Sequence, residues 1–286
     1  MNRISIITLT YNKLACTRRC LPSLLHSDCK AWELIVVENG STDGTREWLD
    51  GFQREAGRAG GKVTILAHAA NVGCSTARNQ AIAASCGERI VFVDNDVALR
   101  NRNWLEKLSQ VLDEDPGVGV VGPKLVYPFP PHRIQFAGGA VSRTGRVQFM
   151  GRGAAIDDPR FNTRREVQYV ISACMMIRRE ALLAAGGFDE AFNPVQFEDT
   201  DLCYKVRRNG LRIQYEPSVE MYHFESVTTA GTPGISNTAL VVRHGLLFKE
   251  RWKAMFGSEN GPPDSEIAWQ KIAIPPLDSI PEPPLV

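Results

Sequence analysis

The chain of 286 residues lacks several things that would place it quickly. No apolar run approaches the ~20 residues needed to span a bilayer. The opening MNRISIITLTYN has an apolar run too short for a secretory signal and no small-residue cleavage site, so it reads as a strand. Its seven cysteines (16, 20, 29, 74, 86, 174, 203) include no CxxC pair and no zinc spacing. Reduced thiols in a cytosolic compartment are the simplest account. There is no excess of charge: 33 Lys and Arg against 32 Asp and Glu leave a net +1, which argues against nucleic acid as a partner. There is no internal repeat. The 43% hydrophobic and 23% charged residues exclude a disordered or low-complexity chain.

What is present begins with two alternating periods. Ile4 to Thr10 is a β-branched apolar run ending in Tyr11-Asn12. A helical stretch follows, with Leu14, Leu21, Leu24 and Leu25 on its apolar face. Trp32 to Val37 ends at Glu38-Asn39-Gly40, and a second helix starts near Asp43 behind Ser41 or Thr42 as cap. Val63 to Leu66 is a third strand. Asn71-Val72-Gly73 then opens a helix from Cys74 to Ser85, and Arg89 to Val93 is a fourth strand ending at Asp94-Asn95-Asp96. Short apolar strands alternating with helices predict βαβ units in an α/β fold, a mostly parallel sheet flanked by helices. The polar clusters Tyr11-Asn12, Glu38-Asn39, Asn71 and Asp94–Asp96 all follow strand ends. They would line the carboxyl edge of that sheet, where open α/β folds bind ligands.

The second half is less regular. Asn103 to Leu112 reads as a helix and Gly117 to Val121 as a strand. Residues 123–170, rich in Pro, Gly and Arg, read as an irregular excursion with strand-like pieces at Ile134–Ala137 and Arg146–Met150. Ser172 to Arg178 reads as a buried strand, Glu180 to Ala185 as a short helix, Glu198 to Arg208 as a helix and Leu211 to Tyr215 as a strand. Ser236 to Phe256 reads as a C-terminal helix. Prolines accumulate beyond Gly257, so 257–286 is expected to be an extended tail.

Several clusters invite chemistry, each with a plainer alternative. Asp94 and Asp96 on alternate turn residues can converge on a hard divalent cation that neutralises a diphosphate, or can form an Asx turn. Glu198, Asp199 and Asp201 at a helix start complement the helix dipole, or supply a general base at a cleft edge. The amide groups after Gly73 could hold an anion, with Arg78 reaching a phosphate or a base. His223 matters only if the fold brings it near Asp94 and Asp96.

Taken together, SIITLTYNK (5–13), VVENGSTDGT (36–45), NVGCSTARNQAI (71–82), VFVDND (91–96), ACMMIRREALLAAGGFDEAF (173–192), FEDTDLCYKVRRNG (197–210) and YHFES (222–226) resemble a family-2 glycosyltransferase of the GT-A fold. The likeness covers roughly residues 4–256 and extends to bacterial rhamnosyl- and related transferases, the subgroup it resembles. It implies one GT-A domain over 1–256. Within it, 1–97 is the nucleotide-binding half, 98–226 the acceptor and catalytic half, and 227–256 a helical segment. It also implies roles. Thr10, Tyr11 and Asn12 lie against the nucleoside, Glu38 and Asn39 against base and ribose, and Arg78 beside base or diphosphate. Asp94 and Asp96 match the DxD pair, Asp94 and Asn95 contact the nucleotide-sugar, and Asp94, Asp96 and His223 form a site for Mn²⁺ or Mg²⁺. Asp199 matches the catalytic base, with Glu198 and Asp201 shaping the acceptor site or capping the helix.

The expected activity is inverting, metal-dependent transfer of a sugar from a UDP-, dTDP- or GDP-sugar to a hydroxyl acceptor. The acceptor would be a glycan or lipid-linked glycan in bacterial cell-surface polysaccharide synthesis. The expected location is cytoplasmic, with at most peripheral membrane contact. A sugar-1-phosphate nucleotidyltransferase would carry a glycine-rich loop where this chain has Thr10-Tyr11-Asn12-Lys13, and a dinucleotide enzyme would carry GxGxxG there. A nucleotide-sugar-binding module without turnover is the remaining alternative.

Overall fold

A computed structural model describes residues 3–29, 31–58, 61–225 and 237–285. In chain order the first half runs β1 (Ile4–Thr10), α1 (Leu14–Cys20), β2 (Trp32–Glu38), α2 (Thr45–Arg58), β3 (Val63–Ala67), α3 (Cys74–Ala84), β4 (Arg89–Val93), β5 (Val97–Leu99) and α4 (Trp104–Glu114). The second half runs β6 (Val118–Val126), β7 (Ile134–Phe136), β8 (Gly139–Val141), β9 (Val147–Phe149), β10 (Arg165–Val167), β11 (Cys174–Arg178), α5 (Arg179–Ala184), α6 (Glu198–Arg208), β12 (Arg212–His223) and α7 (Asn237–Gly257).

The parallel block is ordered β3-β2-β1-β4, so all four strands end on one side. Their residues are nearly continuous apolar runs because helices cover both faces. Every residue of β4 is buried. β11 then runs antiparallel between β4 and β6, and β12 returns parallel to β6. β10 closes the edge beyond β12. One hydrophobic cluster runs from Ile4 through Trp104, Tyr169 and Met176 to Phe256. Among the described residues no helix is long and apolar enough to cross a membrane.

Two expectations need correcting. The stretch 123–170 is not an excursion. β6 continues through Pro123 to Val126, and β7, the β8–β9 hairpin and β10 follow. Pro123 sits where β12 slips register between Glu216 and Glu220, an irregularity that tolerates a missing amide donor. Strands of three residues carry too little period to be read from sequence. Likewise the strand expected at Leu211–Tyr215 is the start of the twelve-residue β12, which runs through Pro217 to deliver His223. The C-terminal helix begins by Asn237, and the Ser236 and 227–236 part of the expected segment lies outside the described residues.

The proline-rich tail is pinned rather than loose. Arg207 pairs with Glu259 at 2.7 Å, Thr144 donates to Asp264 at 2.8 Å, and Arg19 donates to the Leu277 carbonyl at 3.1 Å. Ile280 is buried against Cys16, Cys20 and Phe224. A Cβ at Gly261 would lie 1.8 Å from the Val141 carbonyl oxygen, so only glycine lets the tail approach here.

Candidate active site

A cavity of about 560 Å³ opens at the carboxyl ends of β1 and β4, between those strands and the start of α6. Its wall includes Thr10, Tyr11, Asn39, Arg78, Asp94, Asn95, Asp96, Glu198, Asp199 and His223. Residues expected at a site from their place after strand ends are therefore gathered on one surface.

The β1 and β2 ends form its first corner. The Asn39 N–H donates to the Thr10 carbonyl at 2.8 Å, and Asn39 Nδ2 donates to Asn71 Oδ1 at 3.0 Å. Two expected contact residues stand behind this wall. Glu38 is buried and its Oε1 accepts from the Ser41 N–H at 2.6 Å. Asn12, in the left-handed region at φ 56°, accepts from the Thr42 N–H at 2.8 Å. Both shape the loop that presents Tyr11 and Asn39. The α3 start is also spoken for. The Cys74 N–H donates to the Pro194 carbonyl at 2.9 Å, and the Ser75 N–H donates to Asn193 Oδ1 at 3.0 Å. Those amides serve the fold and leave no anion cradle there.

Arg78 ties the two acidic groups together. Its guanidinium donates to Asp94 Oδ1 and to Glu198 Oε1, each at 2.9 Å, and lies over the Phe188 ring. Burial pushes the Asp94 carboxyl up to about 6, against the pull of Arg78 and with Asp96 adding to the rise. Asn95 donates to Thr17 Oγ1 at 2.9 Å and so fixes the turn onto α1.

His223, at the end of β12, puts Nε2 3.4 Å from Asp96 Oδ1. Gln135 Oε1 accepts from its Nδ1–H at 2.7 Å, which turns Nε2 toward Asp96. Burial lowers the His223 pKa, but Asp96 outweighs it and the net direction is up. Among the described residues no three His, Cys, Asp or Glu side chains are arranged to hold a metal ion. Asp96 and His223 make a two-donor set, with Asp94 turned to Arg78. That set fits Mg²⁺ or Mn²⁺, which usually take one or two protein ligands and complete their shell with substrate phosphates and water.

Across the cavity, α6 starts from a loop in which Gln196 (φ 89°) and Phe197 (φ 71°) are both left-handed, strain of the kind folded proteins keep at functional sites. Asp199 accepts from the Ser172 N–H at 3.1 Å and from the Thr200 N–H at 2.6 Å. Burial, with the Glu198 charge beside it, raises its pKa from 3.8 to about 7. Asp201 is placed elsewhere. It is fully buried away from the cavity wall, where Oδ1 accepts from Arg251 at 2.7 Å and from the Trp252 indole at 2.9 Å. It anchors α7 on α6 rather than facing an acceptor.

Gln135, Ser172, Glu225, Phe149 and Trp269 also line the cavity and were not anticipated. Gln135 and Phe149 lie in the proline- and glycine-rich stretch and Trp269 in the tail, where no periodicity marks them.

The profile of glycosyl transferase family 2 matches residues 5–184. The chain is 35% identical over 260 residues to protein y4gI of Sinorhizobium fredii, covering 87% of this chain and 27% of that one, so it spans about a quarter of that relative. It is 28% identical over 255 residues to the N-acetylglucosaminyl-diphospho-decaprenol L-rhamnosyltransferase of Mycobacterium tuberculosis, covering 80% of this chain and 78% of that one. The crystal structure of GalNAc-T7 with UDP, GalNAc and Mn²⁺ superposes with a TM-score of 0.72 at 15% identity, over 90% of this chain and 50% of that one. The fold is GT-A, and the chain belongs to glycosyl transferase family 2.

Proposed function

We propose that the chain is an inverting, metal-dependent glycosyltransferase that moves a sugar from a nucleoside-diphosphate donor to an acceptor hydroxyl. The observation that carries this reading is that Asp199 and the Asp94, Asp96 and His223 group line one cavity. In this reading the nucleoside lies along Thr10, Tyr11 and Asn39, and the diphosphate lies toward Asp96 and His223. A bound Mn²⁺ or Mg²⁺ there would supply charge to the departing diphosphate. Asp96 and His223 would hold it, and Arg78 keeps Asp94 and Glu198 in place.

A hydroxyl is a poor nucleophile, so a positioned carboxylate must take its proton as it attacks. Asp199 is that base: its pKa near 7 leaves it basic enough to accept a proton at neutral pH. Attack from its side, opposite the leaving diphosphate, inverts the anomeric carbon in one displacement and requires no second nucleophile. Relatives and neighbours named for rhamnosyl transfer and for UDP with Mn²⁺ support this class of donor and metal. A UDP-, dTDP- or GDP-sugar donor, a glycan or lipid-linked glycan acceptor, a role in bacterial cell-surface glycans and a cytoplasmic setting with peripheral membrane contact complete the proposal.

The test is a thermal-shift screen of UDP, dTDP, GDP and their sugars, with and without Mn²⁺. A ligand at ~100 times its Kd should stabilise the fold by about 2.7 kcal/mol. Stabilisation by one nucleotide class that requires Mn²⁺ is the expected result. No shift with any of them would reject the reading.

A further inference from the structure

We propose that Trp269, supplied by the C-terminal tail, is the stacking platform for a saccharide acceptor. This inference rests on the glycosyltransferase reading above. Trp269 lines the catalytic cavity yet remains 61% exposed, among the largest exposures of any large apolar side chain described. The exposed indole does not stand alone: it continues the apolar surface of Val147, Phe149 and Ile171 along the cavity wall, and contiguous apolar surface of that kind marks a binding groove. One face is already taken: the Arg152 guanidinium lies 4.0 Å from the ring centroid, and Phe149 meets the ring edge-on at 5.3 Å.

The ring is held, not dangling. Arg152 donates to the Gln270 carbonyl at 2.8 Å, fixing the backbone next to Trp269. Its other nitrogens donate to Glu225 at 2.8 and 3.1 Å, a carboxylate that also lines the cavity. Gly153 is in the left-handed region that favours glycine (φ 82°), and the Gln270 side chain folds over it, with Oε1 2.3 Å from where a Cβ would stand.

The cavity offers two kinds of surface. Arg78, Asp94, Asp96, Glu198, Asp199 and Glu225 line it with polar, charged groups, while Val147, Phe149, Ile171 and Trp269 give an apolar wall. A pyranose matches that division. Its hydroxyls hydrogen-bond at the rim, and its axial C–H groups, slightly positive, lie well on the negative face of an aromatic ring. The cation on the far side of the indole and the tethered backbone pre-order the ring, so little freedom is lost on binding.

The test uses the labelled 286-residue chain, with UDP and Mn²⁺ present, on an array of immobilised bacterial oligosaccharides. The wild-type chain is expected to bind a subset of them. Trp269→Ala should lose about ten-fold or more in apparent affinity for that subset, ~1.4 kcal/mol. Trp269→Phe, which keeps an aromatic face, should retain most of it. All three proteins should show the same UDP-dependent rise in melting temperature. Binding of no saccharide by the wild type, or equal binding by Trp269→Ala, overturns the proposal. So does a Trp269→Ala chain that loses its UDP response together with saccharide binding, because the ring would then brace the cavity rather than touch the acceptor. Absence of any nucleotide effect in the wild type strikes the glycosyltransferase reading instead, and array binding still decides the role of Trp269.

Discussion

The Ser172 N–H donates to Oδ2 of Asp199 across 3.1 Å, so the turn leading into β11 holds the carboxylate that opens α6. The other oxygen accepts from Thr200 in the first turn of that helix. Asp199→Asn keeps the side-chain size and one acceptor oxygen but cannot take a proton at neutral pH. Transfer should fall by about 10²–10⁴-fold with donor affinity nearly unchanged. Glu198→Gln is the comparison, since that carboxylate is bound to Arg78. Measuring kcat, donor affinity and melting temperature separates the two. If Asp199→Asn keeps most of its kcat while Glu198→Gln loses it, Glu198 is the base.

The raised pKa of Asp199 has consequences for pH. Burial, reinforced by Glu198, disfavours its charged form, so kcat at saturating acceptor should rise with pH through about 7. The Asp199→Asn residual rate should lack this limb. Glu198→Gln removes the neighbouring charge and should move the limb to lower pH. Stability follows the opposite sign. The folded state holds this proton more tightly than the unfolded chain, so the contribution is complete below 3.8 and is lost as pH rises through about 7. Chemical denaturation at pH 4 to 8 should show the wild type losing stability over that window relative to Asp199→Asn. Parallel curves would refute the assigned shift.

How much of this was legible in the sequence differs by residue. Strands such as Ile4–Thr10 and Arg89–Val93 are short apolar runs that end in polar turns, so both they and the side chains after them could be placed at one sheet edge. Asp94, Asp96, Asp199 and His223 form a group only through a fold, and the family resemblance supplied that fold. Gln135 orients His223 from a three-residue strand, too short to carry a readable period. Trp269 sits among prolines that signal extension but cannot signal where the extension lies. Asp201 looked like its neighbours Glu198 and Asp199. The helical rotation that buries it is set by contacts with Arg251 and Trp252, far along the chain.

Asp96→Ala should uncouple nucleotide binding from the metal. Asp96 and His223 are the pair the fold presents at 3.4 Å, and the diphosphate would be bridged to them by the cation. By calorimetry, donor affinity in the presence of Mn²⁺ should fall by at least the ~10–100-fold that losses around metal sites bring. Affinity without Mn²⁺ should stay as in the wild type. Equal affinity with Mn²⁺ present in both proteins would refute the role given to Asp96.

Asp201→Ala separates anchoring from acceptor binding. Asp201 is wholly buried, and its loss strips a hydrogen bond from Trp252 and an ion-paired one from Arg251. Lys205, 3.1 Å away, loses its charge partner as well. Arg251 keeps Asp189 at 2.8 Å and some water contact, which softens the penalty. A cost of about 3 kcal/mol follows from losing one charged and one neutral hydrogen bond in a buried setting. At roughly 2–4 °C per kcal/mol for a domain of this order of size, the melting temperature should drop by about 6–12 °C. Well below that temperature kcat and acceptor KM should stay near wild type, because Asp201 does not line the cavity. The converse pattern, an unchanged melting temperature with a raised acceptor KM, would return Asp201 to the acceptor site.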